Sequence, residues 1–232
     1  MHAEHTVAVR TPRRCRSRRP GGTIVDNRAM PLLLGTDAEA VGRAAHLVRE
    51  GRVVAYPTDT LYGLAVDPRN APAVRRLFAL KGRPESSALT LIAADLAQAE
   101  AAGEFGAVAA RLAAAWWPGP LTIVVTARPL LAPETLANGA TVGIRVPDHA
   151  AARALARACG FCITATSANR SGMPPAVTVD EVASMLPDVD AAIDGGRVRG
   201  GAPSTIVAIE HERARLLRDG AIAWDRVLKS LQ

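Results

Sequence analysis

Thr58, Asp59 and Thr60 lie in a short polar segment, residues 56–64, at the C-terminal end of a predicted strand. Open α/β sheets usually bind ligands at such strand ends. Two hydroxyls and a carboxylate can recognise a small polar molecule, and an ammonium group would suit Asp59. The same side chains also cap turns by bonding to their own backbone, so a binding site and a capped turn are both open here.

Lys81 and Arg83 stand where a predicted helix ends, followed by Pro84 and two serines. Such a pair can clamp phosphate oxygens, because arginine offers a planar fork and lysine a compact charge. Lysine occurs only twice in this arginine-rich chain, which indicates that position 81 needs a lysine. The alternative is a pair of ordinary cations at a helix C-terminus, where the helix dipole favours them.

Two further segments are rich in hydroxyls, amides and glycines. Residues 164–172 follow an apolar strand, and residues 195–205 contain two glycine pairs and many backbone donors. Both can bond phosphate or ribose, and both can equally build turns. The chain lacks the Walker and dinucleotide-binding glycine patterns and the common hydrolase, metalloprotease and kinase motifs. A nucleotide must therefore be held in another way.

The three cysteines, Cys15, Cys159 and Cys162, do not suit a disulfide framework and favour a reducing compartment. Cys159 and Cys162 have the spacing of redox and zinc sites. A zinc site needs a second ligand pair, which no histidine supplies at suitable spacing. A thioredoxin-like pair opens a helix, whereas this one ends a helical pattern. We therefore predict two small buried side chains and no metal site.

The net charge of +6 is concentrated at the N-terminus. Residues 1–28 carry seven arginines and a net charge of +5, which leaves the remainder almost neutral. We predict that residues 1–30 form a disordered extension without specific function. An RNA-contacting arm, an organelle-targeting segment and a misassigned start are the alternatives. No apolar run approaches the length of a membrane span, so we expect a soluble, cytoplasmic protein without membrane contact.

The apolar fraction of 49% with only 3% aromatic residues predicts an aliphatic core. Periodicity and capping residues predict alternating helices and strands and a single α/β domain, residues 31–232, with a mixed sheet. The predicted helices cover residues 37–50, 71–80, 95–101, 104–116, 148–159, 178–186 and 222–231. The predicted strands cover residues 53–56, 89–93, 121–126, 141–146, 161–165, 191–193, 204–209 and 214–217.

Seven motifs together resemble the threonylcarbamoyl-AMP synthase family, with its YrdC-like domain. They are PTDTLYGLAVD (57–67), LKGRP (80–84), WPGPLTIVV (117–125), VGIRVPDH (142–149), TSANRSG (166–172), PSTIV (203–207) and LRDGAI (217–222). The resemblance implies a twisted mixed sheet flanked by helices, with a large, positively lined cleft. It also implies a short-form nucleotidyltransferase that makes L-threonylcarbamoyladenylate and pyrophosphate from L-threonine, bicarbonate and ATP, for the threonylcarbamoyladenosine modification of tRNA.

The resemblance assigns residue roles by motif. The catalytic set is Lys81, Arg83, Ser167 and Asn169. The ATP contacts are Arg83, Ser87, Thr141, Ser167 and Arg218. The threonine contacts are Thr60, Arg145 and Ser204. Two other contact positions of the family fall on Ile92 and Ala165, which can offer only backbone or apolar contact.

The resemblance also implies Mg²⁺ accompanying ATP, and tRNA or the downstream transferase complex as candidate partners. Two alternatives to this function stay open at this point. A carbamoyl-adenylate-forming domain would share the chemistry, although the chain lacks the acylphosphatase-like and zinc-finger segments of such proteins. A non-catalytic RNA-binding module would fit the arginine-rich extension, although the nearly neutral remainder has few aromatic side chains for stacking.

Overall fold

The structure is a computed structural model that describes residues 30–232. The predicted extension therefore lies outside the described residues, except for Met30. The helices are α1 (Ala38–Arg49), α2 (Ala71–Lys81), α3 (Leu96–Glu100), α4 (Ala107–Trp116), α5 (Ala150–Cys159), α6 (Val179–Met185) and α7 (Trp224–Lys229). The strands are β1 (Leu32–Leu34), β2 (Val54–Pro57), β3 (Tyr62–Ala65), β4 (Thr90–Ile92), β5 (Leu121–Thr126), β6 (Thr141–Arg145), β7 (Ile163–Thr164), β8 (Thr166–Ser167), β9 (Ala191–Ile193), β10 (Thr205–Glu210) and β11 (Arg213–Arg218).

Local signals account for the helices. The Asp37 side chain caps α1 by accepting a hydrogen bond from the Ala40 N–H at 3.0 Å, as the sequence predicts. Helix α2 ends at Gly82, whose φ of 60° suits glycine, and this end places Lys81 on the last helical turn. Within residues 30–232, no helix combines the length and the apolar character needed to cross a membrane.

The strands confirm the mixed α/β class but form two sheets, where a single sheet was predicted. The first sheet has the order β1-β9-β2-β3-β8, and the second has the order β11-β10-β5-β6-β4-β7. Both contain parallel and antiparallel pairs. The sequence prediction missed β1, β3 and β8. Strands β1 and β8 have only three and two residues, and β3 directly follows a polar turn, so none of them shows a clear alternation of apolar and polar residues.

One continuous segment links the two sheets. Strand β7 pairs with β4 in the second sheet, and β8, only one residue later, pairs with β3 in the first. The Thr164 hydroxyl strengthens this junction by donating to the Leu64 carbonyl and accepting from the Val66 N–H, both at 2.9 Å. The sheets are therefore held side by side, and polar residues at their junction face a common space.

The core is aliphatic, as the composition predicts. Helices α1 and α5 cover one cluster of buried residues beside the first sheet, α2 and α6 cover a second, and α4 and α7 pack on the second sheet. Many contact positions are alanines, such as Ala44 and Ala152, which are fully buried. Small side chains allow the helices to approach closely, which compensates for the scarcity of aromatic residues.

Candidate active site

A cavity of about 580 Å³ opens at the junction of the two sheets. Both sheets contribute side chains to it. Those from the first sheet and its β2–β3 turn include Tyr56, Thr58, Thr60, Tyr62 and Ser167, and those from the second include Thr90, Ile92, Thr122, Arg145, Ile206 and Arg218. Arg83 and Ser204 reach the same space from loops. Six of the predicted site residues therefore meet here: Thr60, Arg83, Arg145, Ser167, Ser204 and Arg218.

The turn between β2 and β3 is organised by Thr58. Its hydroxyl donates to the Leu61 carbonyl at 2.7 Å and accepts from the N–H groups of Thr60 and Leu61, each at 3.2 Å. The Thr60 carbonyl accepts a hydrogen bond from the Gly200 N–H at 3.0 Å. The capped-turn interpretation thus holds for Thr58. Asp59 does not follow it, because its carboxylate pairs with Arg145 instead.

Arg145 ends β6 and reaches the same turn. Its Nε donates to the Gly119 carbonyl at 2.9 Å, and one terminal nitrogen lies 3.5 Å from the Thr60 hydroxyl. The other terminal nitrogen donates to Asp59. The side chain is only 7% exposed. A buried guanidinium held in this way presents a fixed fork that suits a carboxylate.

Ser204 and Arg218 form a second polar group of the cavity. The Ser204 hydroxyl lies 2.8 Å from the Thr122 hydroxyl, and Arg218 donates to the Ser204 carbonyl at 2.8 Å. Burial, and then the neighbouring Arg145, lower the pKa of Arg218 from its ordinary value. An arginine stays charged despite such a shift, so the site gains from an anion that neutralises it.

Arg83 lines the same cavity. It donates to the Thr166 hydroxyl at 3.0 Å and to the Ala88 carbonyl at 3.1 Å. These bonds use two of the five N–H donors of a guanidinium. Burial lowers the pKa of Arg83 as well. Among residues 30–232, no aspartate or glutamate belongs to the cavity lining, and Asp59 pairs with Arg145, one of the three arginines that face the cavity, from outside that lining.

The catalytic role predicted for Lys81 stays a prediction, and in this structure the side chain contacts the β8 loop. Its ammonium is buried and donates to the Ser167 carbonyl, to the Asn169 carbonyl at 2.9 Å and to the Asn169 side-chain oxygen at 2.9 Å. All three N–H donors are therefore used, and the side chain is not part of the cavity wall. Burial and the neighbouring Arg83 lower the pKa of Lys81 to about 8. Lys81 holds the β8 loop in place, and the interpretation as an ordinary helix-end cation is wrong.

The other predicted residues are placed differently. Asn169 receives a hydrogen bond from the Ser167 hydroxyl at 2.6 Å and supports the loop from behind. Ser87 lies beside Ala88 of the wall without lining the cavity itself, and Thr141 is exposed at the far end of β6. The catalytic role of Asn169 and the ATP contacts of Ser87 and Thr141 stay predictions. Ile92 and Ala165 both line the cavity, in agreement with their assigned positions.

Gly63 and Gly220 stand at positions where another part of the chain comes very close. A Cβ on Gly220 would lie 2.4 Å from the Pro203 carbonyl oxygen, so only glycine lets the chain after β11 pass against the Ser204 loop. A Cβ on Gly63 would lie 3.1 Å from the Tyr56 ring. A glycine in the sequence indicates that another part of the molecule lies close to its backbone, but it does not show which part that is.

Cys159 and Cys162 belong to separate core clusters and are both buried. Burial raises the pKa of each thiol to about 12, and the Cys162 thiol donates to the Gln98 carbonyl at 3.2 Å. The pair therefore does not face a common ligand. In the described part of the chain, no group of three or more histidine, cysteine, aspartate or glutamate side chains is arranged to hold a metal ion.

Replacing both buried cysteines with alanine is expected to keep turnover and to lower the free energy of unfolding by about 1–3 kcal/mol, since only small side chains are lost. Native protein carrying Cys15→Ser should react with a thiol reagent far more slowly than the same chain in denaturant, because the thiolate is the reactive form. Loss of activity with an intact fold would restore a redox or metal role for the pair.

The fold and the cavity define the class: α/β proteins in which two mixed sheets meet around an arginine-lined, polar pocket. A family model for Sua5, YciO and YrdC proteins, described as telomere recombination, matches residues 46–220. The chain belongs to this family.

The similar proteins differ in how much of this chain, and how much of their own length, the similarity covers. The threonylcarbamoyl-AMP synthase of Bacillus subtilis is 38% identical over 84% of this chain and 57% of its own length. That of Halorhodospira halophila is 44% identical over 72% of this chain and 87% of its own. The structure of P. abyssi Sua5 complexed with L-threonine superposes with a TM-score of 0.82 at 32% identity, covering 88% of this chain and 61% of that one. The chain thus spans little more than half of some longer relatives.

Proposed function

We propose that this protein is an L-threonylcarbamoyladenylate synthase, which joins L-threonine, bicarbonate and ATP and releases pyrophosphate. The observation that carries the proposal is the convergence of Arg83, Arg145 and Arg218 on one cavity without an acidic side chain in its described wall. The reaction brings together three anions, namely bicarbonate, the threonine carboxylate and the triphosphate. A preorganised cationic pocket is what such a reaction requires.

The threonine site lies at the β2–β3 turn. Arg145 offers its fork to the carboxylate of the amino acid, and the hydroxyl groups of Thr60 and Ser204 are available for its side-chain hydroxyl. Because Arg145 is fixed by the Gly119 carbonyl, it loses little freedom when it binds. The same wall therefore recognises both ends of a hydroxylated amino acid.

The nucleotide occupies the remaining part of the cavity. Arg83 and Arg218 face the phosphates, and Ser167 of β8 adds a hydroxyl. Lys81 acts here as a positioning residue, since it orients the Ser167–Asn169 loop and touches no ligand space directly. Ser87 and Thr141 would contact ATP only if the loops around them moved toward the cavity.

The chemistry then depends on positioning and electrostatics. The threonine amine combines with bicarbonate, and an oxygen of the resulting carbamate attacks the α-phosphorus while pyrophosphate leaves. Arg83 and Arg218 stabilise the charge that develops on the phosphate oxygens. Mg²⁺ bound with the nucleotide would neutralise pyrophosphate. Phosphate oxygens and water would hold it, because no aspartate or glutamate is found in the cavity wall of residues 30–232.

A pyrophosphate-release assay on the full-length protein tests this function. Release that requires ATP, bicarbonate and L-threonine together is the expected result. Serine and valine in place of threonine serve as matched controls, because each changes one side-chain group. Release without any amino acid would instead support carbamoyl-adenylate formation, and absence of release under all conditions would contradict both.

We further propose that the product is used for tRNA modification in the cytoplasm, by a transferase or complex that accepts the threonylcarbamoyl group. The non-catalytic RNA-binding alternative has a separate test. RNA affinity of a variant lacking residues 1–30 should be weak, because residues 31–232 are nearly neutral. Tight binding by this variant, with a steep salt dependence, would favour the RNA module.

A further inference from the structure

Asp59 has a contact that the turn does not need. Its carboxylate pairs with the Arg145 guanidinium, although the two residues are 86 positions apart in the chain. The side chain is 16% exposed, and the hydroxyl of Thr58 already satisfies the N–H groups of the turn. A largely buried carboxylate at this point costs desolvation free energy that a structural turn has no reason to accept. The contact therefore points to a ligand-related role.

Asp59 does not line the cavity, but it pairs with an arginine that does. Three arginines belong to the wall, and Asp59 is the carboxylate that pairs with one of them. The charged or titratable groups that act on it are Arg145 on β6 and His149 at the start of α5. Burial lowers the pKa of His149 below its ordinary value, so this imidazole is neutral above pH 7 and leaves Arg145 as the facing charge.

We propose that Asp59 receives the α-ammonium group of the amino-acid substrate and then accepts its proton. The inference rests on the proposed function. An amino acid carries its carboxylate and its ammonium on one carbon, and Arg145 in the cavity wall and its partner Asp59 beside the wall are adjacent groups of the complementary charges. When the substrate carboxylate binds the Arg145 guanidinium, the Asp59 carboxylate becomes free to bind the substrate ammonium. The Arg145–Asp59 ion pair is thereby replaced by two ion pairs, Arg145 with the carboxylate and Asp59 with the ammonium.

The proton balance follows from this arrangement. The ammonium transfers one proton to the Asp59 carboxylate, which becomes a neutral carboxylic acid, and the amine nitrogen gains a free electron pair. That pair forms the bond to the bicarbonate carbon. The second N–H proton leaves with the displaced hydroxide as water, and Asp59 returns its own proton to solvent. A positioned base of this kind typically accelerates such a step by about a hundredfold or more.

The contact is tested by comparing two ligands in calorimetry, L-threonine and 2,3-dihydroxybutanoate, in which a hydroxyl replaces the amine. Asp59→Asn keeps the side-chain shape and one oxygen for Arg145. It should weaken L-threonine binding by at least about tenfold, the usual effect of losing a charge-assisted hydrogen bond. The affinity for 2,3-dihydroxybutanoate should rise, because this ligand displaces the wild-type Asp59 carboxylate from Arg145 and offers it no ammonium in return. Asp148→Asn, which alters an exposed carboxylate in the loop before α5, is the control and should change neither affinity.

The proton-accepting role is tested by the pH profile of pyrophosphate release. For Asp59→Asn, the rate should rise about tenfold per pH unit below the pKa of the threonine amine, whereas the wild-type rate should be much flatter above pH 7. An equal loss of affinity for both ligands, no loss for threonine, or an unaltered pH profile would overturn the inference. Wild-type protein that binds no threonine, with or without ATP, would overturn the proposed function itself.

Discussion

Replacing Lys81 with alanine is expected to lower the free energy of unfolding by about 2–4 kcal/mol and turnover by at least about a hundredfold. Three oxygen atoms of Ser167 and Asn169 lose the Lys81 ammonium as a donor. The Asn169 side-chain oxygen keeps the Ser167 hydroxyl and the Ser167 carbonyl keeps the Asn169 N–H, so the main cost is the Asn169 carbonyl, a buried acceptor left unsatisfied. The β8 loop then shifts, and a displacement of even about 1 Å at a reacting site can cost a hundredfold in rate. Chemical denaturation and threonine-dependent pyrophosphate release measure the two effects.

Lys229 provides the matched control, because it is the only other lysine and is exposed on α7. Lys229→Ala should leave both stability and turnover unchanged. Lys81→Arg should not rescue the loss, since a planar guanidinium does not fit a cage built for three short bonds to one nitrogen. If Lys81→Ala kept wild-type stability and lost only turnover, the ammonium would instead act on the substrate, as the motif alone implied.

Replacing Arg83 with alanine should separate stability from turnover. We expect pyrophosphate release to fall about a hundredfold or more, comparable to the loss of a preorganised electrostatic donor. The free energy of unfolding should change by no more than about 1 kcal/mol, because only the Thr166 hydroxyl and the Ala88 carbonyl lose a partner and both can reach water through the cavity. The same two assays distinguish this pattern from that of Lys81→Ala.

Arg83→Lys should recover only part of the activity, since lysine retains the charge but lacks the fork that grips two phosphate oxygens. Arg43→Ala is the control, as Arg43 is exposed on α1, away from the cavity. Near-normal threonine-dependent pyrophosphate release by Arg83→Ala would show that the LKGRP motif is not part of the active site. A large loss of stability in this variant would show that Arg83, like Lys81, is structural.

Much of the local structure could be predicted from the sequence. The capping side chain of Asp37, the α1 face of Val41, Ala44 and Val48, and the strand Leu121–Thr126 all follow from short-range patterns, and the structure confirms them. The motifs also pointed to six residues that meet in the cavity. Caps and periodicities work because the interactions behind them join residues only a few positions apart.

The tertiary structure alone decided which groups face the ligand space. The sequence indicated that Lys81 and Arg83 act as a pair, yet one is enclosed by the β8 loop and the other lines the cavity. Asp59 and Arg145 meet only because the turn after β2 and the end of β6 adjoin across two separate sheets. Strand pairing over such distances depends on the packing of the whole core, which no local pattern encodes.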